Sequence, residues 1–127
     1  AQWITASIEQ GYRPVICPRA IREGNDILNG DGDRADADMA GHVKSDKVLV
    51  LTNVDGLLMD EKLGDTLTLA IAEEILPQIG FGMEKKILAA TEALEMGVKE
   101  ALIANGQMEN PISSAIQHHT CTVIKNE

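Results

Sequence analysis

A polar turn directly follows an apolar run near the middle of the chain, and it is the first place where the sequence could bind a ligand. The run at residues 48–51, VLVL, is continuous and β-branched, which is typical of a buried strand in a parallel sheet. Thr52 and Asn53 then offer side-chain hydrogen bonds, and Gly56 permits a tight turn. Ligands of open α/β sheets bind beyond the carboxyl ends of the strands. The turn is therefore a candidate binding site, although Asn-x-Asp-Gly is also common turn chemistry.

Two adjacent lysines, Lys85 and Lys86, stand near the start of the clearest predicted helix, directly after Gly82 and Met83. A lysine there can reach phosphate groups, and the positive end of the helix dipole adds to the attraction. The formal net charge of −9 opposes any anionic ligand, so a phosphate site would need lysines, backbone amides and a metal ion together. Without a wider motif, a solvated helix face is the better explanation of both lysines.

Other ligand-binding motifs are absent from the sequence. There is no Walker-type phosphate loop and no G-x-G-x-x-G after a strand. The acidic stretch at residues 29–38 fails as a calcium loop in both registers, because the required glycine and bidentate glutamate are missing. His118 and His119 lack the partners of a zinc site, and Cys17 and Cys121 lack the spacing of a metal or redox pair. The sequence predicts no metal site built from protein ligands alone.

Composition limits the class of protein. A chain of 127 residues with 44% hydrophobic and 24% charged residues is expected to form one globular domain. Aromatic residues make up only 2%, so the core must be aliphatic and no base-stacking platform is available. The negative charge argues against nucleic acid and anionic membranes as partners. The absence of a long apolar run or a leader pattern, with two unpaired cysteines, leads us to expect a cytoplasmic location.

The elements that must position these residues follow from apolar periodicity. Helices are predicted over residues 2–10, 33–45, 66–79 and 83–96, with a short one after Pro111. Strands are predicted at residues 14–18, 48–51, 101–104 and 122–124, and residues 19–32 should form a loop or a small hairpin. On the second helix, Ala35, Met39 and Val43 are expected to form the apolar face. Alternation of strands and helices predicts an α/β fold with a mostly parallel sheet.

The order of these motifs carries more information than any one of them. The series runs LNGDGDR before a helix, LTNVDGLL after a strand, and GMEKK at the start of a later helix. Over essentially the whole chain it resembles the amino-acid kinase family. The likeness is greatest to members that phosphorylate the side-chain carboxylate of an N-blocked glutamate or 2-aminoadipate, namely acetylglutamate kinase and [LysW]-aminoadipate/glutamate kinase.

The resemblance implies a three-layer α/β/α sandwich of which residues 1–127 form one nucleotide-binding half-domain. It implies ATP with Mg²⁺ as cofactor, an acceptor that is a small molecule or linked to a carrier protein, and an acyl phosphate product of amino-acid biosynthesis. The parent kinase would be about twice as long and homo-oligomeric. The missing front half would hold another essential lysine, the glycine-rich loops and most of the acceptor site, so the isolated chain is expected to be inactive.

Residue roles are carried over position by position. The resemblance makes Lys86 the catalytic lysine, Asp33 the carboxylate that orders the catalytic lysines, and Asn29 the group that holds the acceptor's α-substituent. Lys85 is the competitor for the role of Lys86, and the alternative for both lysines is a solvated helix face. For Asp33 the alternative is an ordinary helix N-cap, which is compatible with the implied role, and for Asn29 it is a turn residue. The residues implied in nucleotide binding are Thr52, Asn53, Val54, Asp55, Gly56, Leu57, Leu58, Gln78, Ile79, Gly80, Gly82 and Met83.

Several positions depart from the family pattern. Gly30 stands where an apolar residue is expected, Asp36 replaces a small apolar residue, and Phe81 replaces a glycine. Phe81 would crowd the phosphate end of the site, Asp36 would add repulsion, and residues 118–122 lack the usual glycine before the last strand. The departures at Phe81 and at residues 118–121 support an alternative function, a non-catalytic nucleotide-binding or interaction module of the same fold.

Overall fold

The computed structural model describes residues 2–59, 62–63 and 66–126. The helices are α1 (Gln2–Glu9), α2 (Gly32–His42), α3 (Leu69–Ile75), α4 (Met83–Glu95) and α5 (Pro111–Ile116), with a 3₁₀ turn at Leu76–Gln78. The strands are β1 (Arg19–Ile21), β2 (Ile27–Asn29), β3 (Lys47–Thr52), β4 (Leu58–Met59), β5 (Lys62–Leu63), β6 (Thr66–Thr68), β7 (Glu100–Asn105) and β8 (Cys121–Lys125). None of the helices in these described ranges is both long and apolar enough to cross a membrane.

Four strands form the central sheet in the order β3-β7-β8-β6. The pairs β3·β7 and β6·β8 are parallel, whereas β7·β8 is antiparallel. The predicted α/β fold with a mostly parallel sheet is therefore confirmed. Because β8 runs against β7, its first residues lie at the sheet edge where β3 and β7 end: Cys121 is paired with Ala104, and Thr52 with Asn105.

Side chains of β7 point alternately to the two faces of the sheet, and each face has its own hydrophobic core. Ala101 and Ile103 belong to the larger core, which also holds the buried side chains of α2, α3 and α4. Leu102 and Ala104 face the smaller core, which is closed by Ala115 of α5. The sheet therefore lies between two helical layers, as the resemblance implied.

The apolar face predicted for α2 is wrong. Ala37 and Ala40 are its buried residues, whereas Met39 and Val43 are only half-buried. The reason is that α2 packs closely on α4: a Cβ built on Gly41 would lie 2.5 Å from Met96 Cβ. Small residues, not the larger apolar ones, determine which face of this helix is buried.

Two other predictions changed. Residues 14–18 form no strand, and Val15 is 99% exposed; the flanking Pro14 and Pro18 lack the N–H that a ladder needs. The small hairpin is confirmed as β1 and β2. The helix predicted over residues 66–79 begins as strand β6, and Thr68 caps α3 through its hydroxyl. The boundaries of α1, α4, β3, β7 and β8 agree with prediction to within about two residues.

Candidate functional site

A polar cleft of about 680 Å³ opens at the edge where β3 ends and α2 and α4 begin. Its lining comes from three separate segments of the chain. The residues are Asp31, Gly32, Asp33, Thr52, Asn53, Val54, Phe81, Gly82, Met83, Lys85 and Lys86. The structure thus brings together the polar turn, the acidic start of α2 and the two lysines that the sequence placed far apart.

The two residues predicted as catalytic are in direct contact. Lys86 Nζ donates to Asp33 Oδ2 at 2.9 Å, across 53 positions of sequence. Both side chains are largely covered, with 19% and 25% of their surfaces exposed. The contact fixes the ammonium group of Lys86 beside the cleft instead of leaving it on a solvated helix face.

The helix N-cap alternative for Asp33 is wrong, because Asp31 performs that function. Asp31 Oδ1 accepts from the backbone N–H groups of Asp33 and Arg34, at 3.1 and 3.3 Å. The backbone N–H of Arg34 and the nearby Lys85 ammonium hold the pKa of Asp31 below its usual value. Asp33 lies in the first turn of α2, at its positive end, with its carboxylate directed to Lys86.

The two adjacent lysines occupy different environments. Lys85 Nζ lies 3.6 Å from Asp31 Oδ2 and 5.4 Å from the centroid of the Phe81 ring, and its side chain is 51% exposed. Lys86 is the more deeply covered of the two and contacts the carboxylate of α2 that does not cap the helix. The two lysines therefore differ both in burial and in the carboxylate that they contact.

The N-terminus of α4 adds to the positive character of the cleft. Gly82, the N-cap residue, has a φ of +100° and provides no side-chain hydrogen bond to the first turn. Glycine suits this conformation, which other residues rarely adopt. The backbone N–H of Glu84 donates to Gly80 O at 3.3 Å, and the amides of a first helical turn that have no such partner bind anions. Beside Lys86, they make this corner suitable for phosphate.

A second, more apolar cleft of about 610 Å³ adjoins the first. The two clefts share Val54, Phe81 and Met83. The lining residues are Val54, Gly56, Leu57, Leu58, Ile75, Gln78, Ile79, Gly80, Phe81 and Met83. Apart from Thr52, Asn53, Asp55 and Gly82, every residue predicted to bind nucleotide is among them. A polar cleft joined to an apolar one matches the two halves of a nucleotide.

Phe81 does not fill the phosphate end as the sequence suggested. Its side chain is 91% exposed, and it borders both clefts without occupying either. Asp36 lies one turn along α2 from Asp33. Partial burial, together with the negative charge of Asp33, raises the pKa of the Asp36 carboxyl. The expected repulsion at Asp36 is therefore present, whereas the expected crowding by Phe81 is not.

Asn29 and Asp55 lie apart from the lysine cleft. Asn29, at the end of β2, lines a separate groove of about 620 Å³ with residues of α1 and the far side of α2. Asp55 lines neither nucleotide cleft, and its Oδ1 accepts a hydrogen bond from Asn105 Nδ2 at 2.9 Å. The structure therefore does not bring Asn29 together with Lys86.

Sequence reasoning missed two residues at this edge, Asn105 and Thr122. Asn105 is the last residue of β7, as Thr52 is the last residue of β3. Because both strands were predicted, the sequence could have indicated that Asn105 lies at the same edge. Thr122 does not line the cleft, but its Oγ1 accepts a hydrogen bond from the backbone N–H of Leu57 at 2.9 Å. A threonine inside an apolar strand gives no sequence signal of such a contact.

The described residues include no group of three His, Cys, Asp or Glu side chains placed to hold a metal ion. Mg²⁺ in nucleotide sites is commonly bound by one or two carboxylates and by the phosphates themselves. The polar cleft, which contains Asp31 and Asp33, fits a metal of that kind delivered with the nucleotide.

The fold and this cleft define a class: three-layer α/β/α proteins with a phosphate-compatible site at the carboxyl edge of the sheet. Residues 1–105 match the model of the Amino acid kinase family. The chain belongs to the amino-acid kinase family.

The chain is similar in sequence to named proteins. The chain is 65% identical over 127 residues to a protein of Nitrosopumilus maritimus named "Putative [LysW]-aminoadipate/[LysW]-glutamate kinase", and it spans 48% of that protein. It is 42% identical over 91 residues, 72% of its own length, to the [LysW]-aminoadipate/[LysW]-glutamate kinase of Sulfolobus acidocaldarius, covering 35% of that protein. The chain thus spans half or less of the length of these relatives.

Solved structures share the fold. N-acetylglutamate synthase from Neisseria gonorrhoeae, complexed with coenzyme A and L-arginine, superposes with a TM-score of 0.92 at 23% identity, over 99% of this chain and 30% of that one. Carbamate kinase from Giardia lamblia, bound to AMP-PNP, gives a TM-score of 0.66 at 22% identity, over 84% and 36%. At such identities the likeness establishes the architecture.

Proposed function

We propose that this chain is the nucleotide-binding half of a kinase that transfers the γ-phosphoryl group of ATP to the side-chain carboxylate of an N-blocked glutamate or 2-aminoadipate. The product would be an acyl phosphate in lysine or arginine biosynthesis. The observation that carries the proposal is the contact of Lys86 with Asp33 beside the N-terminus of α4.

The chemistry of this transfer suits the site. A carboxylate acceptor is already ionised at neutral pH, so the reaction needs no strong general base. The barrier comes from bringing two anions together and from charge on the transferring group, which fixed cations and amide dipoles stabilise. In this proposal Lys86 and the first amides of α4 bind the phosphates, and Asp33 holds the Lys86 side chain in position. Mg²⁺ bound with the nucleotide would neutralise further phosphate charge.

The apolar cleft is proposed to take the adenosine. Leu57, Ile79 and Met83 supply apolar surface, while Thr52 and Asn53 lie toward the phosphate side. In this arrangement the nucleotide crosses Val54, Phe81 and Met83, the residues that border both clefts. Backbone groups of the turn would then make much of the contact with the base and ribose.

The acceptor is proposed from the names of the relatives, which act on [LysW]-linked aminoadipate or glutamate. Asn29 is proposed to contribute to that site, at a distance from the nucleotide clefts. Because the chain covers 48% of the first of these relatives, most acceptor contacts are proposed to lie in the remaining part of the kinase. The same part is proposed to mediate homo-oligomer contacts, and the isolated chain is proposed to be inactive.

Titration calorimetry with Mg-ADP and adenosine tests the nucleotide role. We expect the chain to bind ADP more tightly than adenosine. Lys86→Ala should weaken ADP binding about 10- to 100-fold, the value of a lost charge-assisted hydrogen bond, and leave adenosine binding unchanged. Lys85→Ala is the matched control, since it removes an equal charge from the adjacent, more exposed position, and it should change ADP affinity less than threefold.

Equal affinities for adenosine and ADP, both unchanged by Lys86→Ala, would refute the assigned role of Lys86. Production of acyl phosphate by the 127-residue chain alone would contradict the proposal that the acceptor site lies elsewhere. The alternative of a non-catalytic module loses one of its two grounds, because Phe81 does not fill the cleft.

A further inference from the structure

Three hydrogen bonds connect the turn that follows β3 to the end of β7 and to β8. We call residues 52–58 the nucleotide loop. Gly106 N donates to Thr52 O at 2.8 Å, Asn105 Nδ2 donates to Asp55 Oδ1 at 2.9 Å, and Leu57 N donates to Thr122 Oγ1 at 2.9 Å. Thr52 and Val54 line the polar cleft, and Val54, Leu57 and Leu58 line the apolar one. The anchors at Asp55 and Leu57 therefore act on the stretch of loop beside the apolar cleft.

Thr122 is a polar side chain enclosed in an apolar strand. It is 0% exposed, and its neighbours Cys121, Val123 and Ile124 are all buried. Its hydroxyl accepts the N–H of Leu57, which is itself only 5% exposed. A buried amide without an acceptor is costly, so the hydroxyl of Thr122 determines where this N–H can lie.

Both polar atoms of the Asn105 side-chain amide are hydrogen-bonded. Its Oδ1 accepts from Gln107 N at 2.9 Å, which leaves Nδ2 to donate to Asp55. An aspartate there could make only the first of these hydrogen bonds and would repel Asp55. The contact connects the end of β7 to the exposed crest of the nucleotide loop.

We propose that Thr122 and Asn105 are positioning residues that fix the backbone of the nucleotide loop for the adenosine half of the ligand. The inference rests on the proposed nucleotide function. Neither residue lines the polar or the apolar cleft, so in this proposal neither touches the ligand. Both act through Leu57 and Asp55. Loss of either anchor should weaken binding of adenosine and leave the phosphate corner at Lys86 intact.

Three threonine variants test the proposal by calorimetry with adenosine and with inorganic tripolyphosphate. Thr122→Val keeps the shape and removes the acceptor, and it should weaken adenosine binding about three- to tenfold with tripolyphosphate affinity unchanged. Thr122→Ser keeps the hydroxyl and should restore most of the affinity. Thr91→Val is the matched control, because Thr91 is also buried but its hydroxyl donates to Leu88 O within α4, away from the loop. It should leave adenosine affinity unchanged.

A second variant acts from the exposed side of the loop, where folding is not at risk. Asn105→Ala should weaken adenosine binding in the same way. If Thr122→Val does not fold, this variant alone tests the positioning role. Amide hydrogen exchange gives a readout independent of ligand, since the Leu57 N–H should exchange about tenfold faster in Thr122→Val.

The outcomes separate the two proposals. If the unmodified chain binds adenosine and both Thr122→Val and Asn105→Ala bind it equally well, the positioning role is refuted while the nucleotide function stands. Equal weakening of adenosine and tripolyphosphate also refutes it, because the effect would then be general destabilisation. If the unmodified chain binds neither ligand, the proposed function itself fails.

Discussion

At the residue scale, the acidic start of α2 divides three carboxylates between three environments. Asp31 caps the helix, Asp33 contacts Lys86, and Asp36 is exposed but lies near Asp33 and has a raised pKa. A carboxyl whose pKa is raised on folding destabilises the folded state once it is ionised. The destabilisation is present at neutral pH and disappears below about pH 4, where the carboxyl is protonated in both states.

Asp36→Asn should therefore raise the melting temperature at pH 7 by roughly one to three degrees, with no gain at pH 3. Thermal unfolding followed by circular dichroism at both pH values measures this. Asp38→Asn is the control, since the Asp38 side chain is 72% exposed on the same helix, and it should give no comparable gain. A gain for Asp36→Asn that persists at pH 3 would show that charge is not its cause.

Much of the cleft could be predicted from residue order, although the roles assigned to its residues remain predictions. Lys86, Asp33 and the turn after β3 were placed together because their motifs follow one another in a recognisable series. The capping role of Asp31 was missed because Asp31 and Asp33 both precede the apolar part of the helix and both are good cap residues. Thr122 could not be predicted, since its contact with Leu57 spans 65 positions and depends on strand pairing.

At the element scale, the contact of α2 with α4 shows why one helix face was predicted wrongly. Periodicity was judged from the larger apolar residues, but the buried face of α2 consists of Ala37, Ala40 and the neighbouring Gly41. Small residues let helix axes approach closely, and Met96 at the end of α4 contacts Gly41 directly. The sequence predicted that α2 exists but not which face it buries.

Gly41→Ala should destabilise the protein by about 1–3 kcal/mol, even though alanine favours helix by about 1 kcal/mol over glycine. The added Cβ would lie 2.5 Å from Met96 Cβ, which is next to the backbone and cannot swing away. Urea unfolding measures the change. The double variant Gly41→Ala/Met96→Ala should recover only part of the loss, since the Cβ of residue 96 remains. Gly41→Ala as stable as the unmodified chain would show that α2 and α4 can separate without cost.

At the scale of the whole molecule, ionised carboxylates stabilise the acidic chain despite its net charge of −9. Hydrogen bonds from Lys47 and then His118 hold the pKa of Glu100 below its usual value, and Lys99 does the same for Asp46. A carboxyl whose pKa is lowered on folding stabilises the protein above its unfolded pKa, and the stabilisation is lost as pH falls through the folded pKa. Acid therefore removes these contacts.

The free energy of unfolding should fall as the pH drops below about 4, and Glu100→Gln should reduce the size of the fall. The variant should also be less stable at pH 7, because it loses the ion pair that joins β3 to β7 at Lys47. Urea titrations at pH 7, 5 and 3.5 measure both effects. An acid profile for Glu100→Gln that is identical in slope to that of the unmodified chain would exclude Glu100 as a contributor.

The overall architecture was predictable because long apolar strands alternate with amphipathic helices. The antiparallel direction of β8 was not predictable, since α5 has only 6 residues and the loop after it contains two residues with positive φ, His118 and Thr120. That reversal brings Thr122 to the edge where β3 and β7 end.

The anchoring of the nucleotide loop also bears on the order in which the molecule assembles. Asp55 must wait for a partner 50 positions further along the chain, and Leu57 for one 65 positions further along. Contacts between residues so far apart in the sequence form late in folding, because the chain between them must first close into a long loop. During synthesis, the loop would leave the ribosome well before β8 exists. The binding surface should therefore reach its final shape only when β8 pairs with β7, so competence for ligand would report the completion of folding.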